Sequence, residues 1–147
     1  MDIFRMQKEL AHSVVIMLLL GTASFVVVQG AVGRTEFAQD VKQLAGNWTG
    51  ESICQVKPSA CRDEKVVYHI STGSDPNHVM VSADKIVDGK AINMGRGKYA
   101  YDRTNGTLVN ENDGRVWRFT VKGNSMTGTL TMPDKTLYRR VTLRKEE

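Results

Sequence analysis

The chain has 147 residues, 41% hydrophobic and 24% charged, which is ordinary globular usage; it excludes a disordered chain and leaves room for one packed domain only. Lys and Arg number 20 against 16 Asp and Glu, a formal net charge of +4. That small excess is spread along the chain, with one cluster at Arg139, Arg140, Arg144 and Lys145 that reads first as the solvated face of a strand, an acidic partner or surface being the alternative.

The amino-terminal segment has Arg5 and Lys8, then an apolar run from Ser13 to Val28, then the small residues Gly30 and Ala31. This is the order of a secretory signal peptide, so residues 1–30 are expected to be removed. The run is broken by Gly21, Thr22 and Ser24 and falls short of the ~20 apolar residues a spanning helix needs. Retention as an anchor is the lesser reading and would be the chain's only membrane contact. Export implies a secreted or periplasmic protein and removes nucleic acid as a partner.

Residues 31–45 read as a linker carrying a short helix over Thr35–Leu44, with Phe37, Val41 and Leu44 on one helical face. So short a helix needs support from the rest of the domain. From Gly46 to residue 147 the apolar period changes to two. Strands are predicted at Asn47–Cys54, Lys65–Thr72, His78–Val87, Lys90–Met94, Lys98–Asp102, Thr107–Glu111, Arg115–Lys122, Ser125–Met132 and Thr136–Arg144. Asp88-Gly89, Asn105-Gly106, Asp113-Gly114 and Gly123-Asn124 lie between them and supply the positive φ that tight hairpins require. Gly95-Arg96-Gly97 also reads as a turn.

No intervening stretch is long enough for a parallel crossover, so the eight or nine strands form an antiparallel meander. Closure into an up-and-down barrel removes the exposed edges and is the first expectation; a two-sheet sandwich is the second. The fold class is therefore all-β, with the barrel domain over 46–147. Cys54 and Cys61 are the only cysteines, and in an exported chain an even count at short separation favours a disulfide. It would close one loop, contributing about 2.5 kcal/mol on the chain-entropy model.

The run Leu44-Ala45-Gly46-Asn47-Trp48-Thr49-Gly50, placed after a short helix, resembles the start of the lipocalins and the wider calycin group. The resemblance implies a barrel plugged at its base by that helix, with Gly46 and Trp48 as the structural Gly-x-Trp pair. It further implies an arginine late in the barrel packed over the tryptophan, for which Arg139, Arg140 and Arg144 compete. A guanidinium over an indole is worth about 0.5–2 kcal/mol.

Catalytic signatures are sparse. There is no Gly-x-Ser-x-Gly elbow, phosphate loop or His-Glu-x-x-His run, so neither a catalytic residue nor a cofactor is expected. His69 and His78 flank the Gly73 turn and are placed to face each other across neighbouring strands, but two ligands are too few for a metal site, and none is expected. The acids Asp63-Glu64, Glu111 and Asp113 read as solvated loop charges. Arg139 is the one exception on the apolar face of Leu137, Val141 and Leu143. Asn47-Trp48-Thr49 and Asn105-Gly106-Thr107 match the glycosylation acceptor pattern.

Tyr99, Tyr101, Trp117 and Phe119 are the candidate lining of a pocket, since aromatic bodies with polar tips suit a ligand mouth. The function expected is binding of a small, mainly apolar ligand without catalysis. The alternative is a protein-binding module, an envelope factor or enzyme inhibitor, acting through the basic last strand around a filled barrel.

Overall fold

The computed structural model describes residues 39–147. The expected signal segment, the rest of the chain up to residue 38 and Phe37 lie outside the described residues. The helix that remains, α1, covers Val41–Leu44, a single turn whose Asp40 side chain caps it by accepting from the Lys42 amide at 2.9 Å. One turn has no stability of its own. It persists because Val41 and Leu44 are buried against the domain.

Eight strands follow: β1 (Gly46–Cys54), β2 (Glu64–Thr72), β3 (His78–Val87), β4 (Lys90–Asp102), β5 (Thr107–Asn112), β6 (Arg115–Lys122), β7 (Ser125–Thr131) and β8 (Leu137–Lys145). Each pairs antiparallel with the next, and β1 pairs with β8 from Trp48↔Lys145 to Cys54↔Arg139, so the sheet is a closed barrel and not a sandwich. The turn residues behave as their chemistry dictates. Asp88 and Gly89 have φ of 49° and 75°, and Asp113 and Gly114 have 50° and 72°. Both are two-residue hairpin turns whose mirror-image twist matches the flanking strands.

One expectation is corrected. Lys90–Met94 and Lys98–Asp102 are a single strand, β4, and Gly95-Arg96-Gly97 lies inside it. Ala83 pairs with Gly95 while Asp84 pairs with Asn93, so Met94 is the extra residue of a β-bulge. Gly95 takes φ of 122° there, a conformation closed to side chains with a Cβ. A glycine signal inside a strand marks a bulge as readily as a turn, and only pairing tells the two apart.

The inward faces build one core, in which Trp48, Phe119, Leu44, Leu108, Met126 and Leu143 are fully buried. Trp48 stands where β1 leaves α1 and donates its indole N–H to the Leu44 carbonyl at 2.9 Å. The helix and the indole thus close one end together. Lys145, opposite Trp48 on β8, ties the same end by donating Nζ to the Gln43 carbonyl at 2.6 Å. Gly128 on β7 lies directly beneath the Phe119 ring, where a Cβ would come within 2.1 Å of Cδ1. The absent side chain is what lets that ring lie flat across the barrel.

Candidate functional site

At the end of the barrel away from α1, the core gives way to a cavity of about 310 Å³. Its lining comes from strands remote in sequence: Ser52 on β1, Glu64 and Tyr68 on β2, Val81 and Ala83 on β3, Tyr99 on β4, Trp117 on β6 and Arg139 on β8. Tyr68 pairs with Ala83, and Val81 with Gly97, so these side chains share the inner face.

An aromatic cluster sits at the cavity. Trp117 stacks on Phe119 with 5.7 Å between ring centroids and planes 7° apart, while Tyr68 meets Phe119 edge-on at 5.8 Å and Tyr99 lies 6.0 Å away. The expected lining residues therefore separate. Tyr99 and Trp117 line the cavity. Phe119 is buried beneath them. Tyr101 is at the opposite end, its hydroxyl donating to the Gln39 carbonyl at 2.7 Å. Spacing by two puts Tyr99 and Tyr101 on the same face, but each step of two moves about 7 Å along a strand, enough to carry one from cavity to base.

Among the described residues, the Tyr68 and Tyr99 hydroxyls have no protein partner, yet neither is sealed away as an orphaned buried group. Both open onto the cavity. Burial disfavours the phenolate and pushes Tyr99 up to about 12, and Tyr68 further still, with the neighbouring Tyr99 adding to its rise. Folded-state values above the unfolded value of ~10 mean stability is intact below about pH 10 and is lost as pH climbs toward 12. In an ultraviolet titration, Tyr68 and Tyr99 are expected to stay protonated at about pH 11 and to ionise only as the barrel opens. Early ionisation of all four tyrosines would contradict the burial of Tyr68 and Tyr99.

The cavity's charged wall is a compact network. Arg139 Nη1 donates to Ser52 Oγ at 3.1 Å and to the Arg62 carbonyl at 3.1 Å, and pairs with Glu64 Oε2 at 3.1 Å. Their side chains are only 14% and 18% exposed. Lys85 Nζ lies 3.8 Å from Glu64 Oε1 on its other side. An open groove of about 700 Å³ runs outside, between the disulfide loop and the end of β3, and shares Glu64 and Arg139 with the cavity. The ion pair is thus a partition between the two spaces.

Glu64 is a correction: it opens β2 and faces inward, not outward from a loop. The signal was available, because Glu64, Val66, Tyr68 and Ile70 alternate, and Arg139 was already the charged exception on its own strand. Asp63 is also engaged, accepting from the Cys54 amide at 2.8 Å beside the Cys54–Cys61 disulfide. Of the arginines expected over Trp48, Arg139 lies at the far end of β8, while Arg140 and Arg144 are exposed. Among the described residues the arginine–aromatic contact is Arg139 over Tyr138, at 5.9 Å.

The two histidines do not face each other. His69 Nδ1 bonds Asn47 Oδ1 at 2.8 Å and Nε2 bonds Asp84 Oδ2 at 3.0 Å, whereas His78 Nδ1 bonds Asp75 Oδ2 at 2.6 Å. Register separates them, since His69 pairs with Ser82 and His78 with Ala100. Among the described residues no group of three or more His, Cys, Asp and Glu could hold a metal ion, and no helix is long and apolar enough to cross a membrane.

One wall is incomplete. β4 and β5 pair only from Ala100↔Val109 to Asp102↔Thr107, the shortest ladder in the barrel. Beyond it the strands part, and Met94, Gly95, Arg96 and Gly97 face Asn110 and Asn112 across a gap that opens into the cavity. Asn110 Nδ2 bridges it by donating to the Lys98 carbonyl at 2.9 Å. Unladdered amides exchange through small local openings. Hydrogen exchange is therefore expected to be faster at those amides of Gly95–Lys98 and Asn110–Asn112 that point into the gap than at their neighbours laddered to β3 and β6, and equal protection would show the gap to be closed in solution.

No protein-family model matches the chain, and no curated protein matches it. Among solved structures it is similar to one titled "The Siderocalin Ex-FABP functions through dual ligand specificities", at 12% identity over 71% of each chain, with a TM-score of 0.40. By its own topology the chain has a lipocalin-like architecture, a closed meander of eight antiparallel strands with, among the described residues, one short helix.

Proposed function

We propose that the chain is a binding protein that holds a small, mainly apolar molecule in the cavity at the open end of its barrel. The observation that carries this is the contrast within one barrel: residues from Trp48 to Phe119 fill the base, whereas about 310 Å³ above them is left empty. An eight-stranded barrel is narrow enough to be filled by its own side chains, so space kept at one end is a departure that suits a ligand. The volume is at the lower bound of small-molecule sites, about 300 Å³. Trp117, Met94, Val81 and Ala83 offer apolar contact there, and Tyr68 and Tyr99 offer polar tips.

Nothing in this arrangement requires catalysis, and binding without turnover accounts for it. The amino-terminal signal pattern and the Cys54–Cys61 disulfide support a place outside the cytoplasm, secreted or periplasmic. A panel of hydrophobic dyes followed by native mass spectrometry tests the reading. A single bound molecule per chain, with quenching or shift of Trp117 emission, is expected; a chain that retains no dye and nothing from its host would count decisively against it.

One observation favours a second reading, a module that binds a protein. The first half of β4 is an edge carrying exposed Ile92 and Met94, with Val87 beside them on β3. Exposed edges accept an added strand. Saturating dye binding that persists in an Ile92→Lys variant would separate the cavity from that edge.

A further inference from the structure

Resting on the ligand-binding reading above, we propose that the cavity selects a neutral molecule whose polar end is a hydroxyl or carbonyl group, and discriminates against anions of the same shape. The positive charge within the cavity wall is already compensated. Arg139 meets Glu64 at 3.1 Å and also serves Ser52 and the Arg62 carbonyl through the same nitrogen. An entering carboxylate would have to share that guanidinium with Glu64. Two carboxylates on one largely buried cation repel each other, and displacing Glu64 forfeits its closest cation, leaving it Lys85 at 3.8 Å. The other cation on the lining, Arg96, is exposed, on the outward side of β4 opposite Ser82. Water and salt screen a charge so placed.

Two neutral groups on the inner face, the Tyr68 and Tyr99 hydroxyls, have no partner among the described residues. Each hydroxyl both donates and accepts, which matches an alcohol, phenol, ketone or amide. Asn110 has committed its amide nitrogen to Lys98 but keeps acceptor capacity, and Asn112 stands beside it at the gap. Trp117, stacked on Phe119, offers a further flat surface, so a planar ring is a shape this wall accepts.

The test uses naphthol and naphthoate, which share a ring system and differ in charge, titrated against the full chain at neutral pH. Naphthol is expected to bind about tenfold tighter than naphthoate, the order expected when one partner leaves a charge poorly compensated. Glu64→Gln releases Arg139, and naphthoate affinity is expected to rise about tenfold while naphthol changes less than about twofold. Tyr68→Phe with Tyr99→Phe is expected to weaken naphthol and leave naphthoate unchanged. Naphthoate binding as tightly as naphthol to the unmodified chain would overturn the proposal while leaving ligand binding intact. Failure of both probes and of the dye panel would overturn ligand binding, and the selectivity with it. If Glu64→Gln does not fold, the comparison on the unmodified chain decides the matter alone.

Discussion

Trp48→Ala is expected to lower the barrel's unfolding free energy by about 3–5 kcal/mol, the range for deleting a buried large aromatic side chain. The indole is 0% exposed and fills the space between β1 and α1, so truncation leaves a void that the ladders on either side cannot collapse into. The loss has a second part. The indole N–H is the group that holds the Leu44 carbonyl at 2.9 Å, so α1 loses one of its ties and Leu44 packs less firmly, while Lys145 on the Gln43 carbonyl and Tyr101 on the Gln39 carbonyl still hold the turn in place. Trp48→Phe separates these parts: it keeps most of the apolar volume and deletes the hydrogen bond, at a cost of about 1 kcal/mol. Urea unfolding followed by circular dichroism measures both. The chain has two tryptophans, so either variant also leaves Trp117 as the sole indole reporter of the cavity. A loss below about 1 kcal/mol for Trp48→Ala would mean that the base is held closed by something other than this side chain.

Arg139→Met is expected to cost about 3 kcal/mol, near the lower end for removing one partner of a buried ion pair, because both side chains retain some exposure. Three consequences coincide. Glu64 loses its nearest cation, leaving Lys85 at 3.8 Å. Ser52, itself buried, loses a donor. The Arg62 carbonyl, and with it the loop closed by Cys54–Cys61, loses its tie to β8. The measurement that isolates the charge is the double variant Arg139→Met with Glu64→Gln, since replacing both partners spares the stranded carboxylate. It should recover most of the loss. A double variant as unstable as Arg139→Met would show that the guanidinium acts mainly through Ser52 and the loop. Faster proteolysis within Gln55–Asp63 should accompany that result.

Both predictions concern side chains whose importance was partly legible in the linear chain. Trp48 announced itself through Gly46-x-Trp48 after an apolar helix face, and Arg139 through its breach of the alternation Leu137, Val141, Leu143. What could not be read was where each would meet its partner. Arg139 was a candidate to cover Trp48, yet pairing with Cys54 puts it at the opposite end of β8. Glu64 is separated from Arg139 by most of the domain and looked like half of a solvated acidic pair. Tyr99 and Tyr101 had equal standing as lining residues, and one became the base.

The bulge at Met94 and the gap between β4 and β5 follow the same logic. Glycines at 95 and 97 signalled irregularity, but a turn, a bulge and a kink all use glycine's freedom. The choice depended on β3 supplying a partner on both sides of the irregularity.

The amino-acid sequence by itself determined the all-β class, the antiparallel order, the reversals at Asp88-Gly89 and Asp113-Gly114 and the pairing of two nearby cysteines. These depend on φ preferences, period and short separations, all local properties. Tertiary structure alone decided the closure of β1 on β8, the axial level of each inward residue, the Glu64–Arg139 partition and the empty volume beside Trp117. Those depend on register, and because a ladder is propagated strand by strand around the barrel, the height at which two remote side chains meet is a sum over every pairing between them.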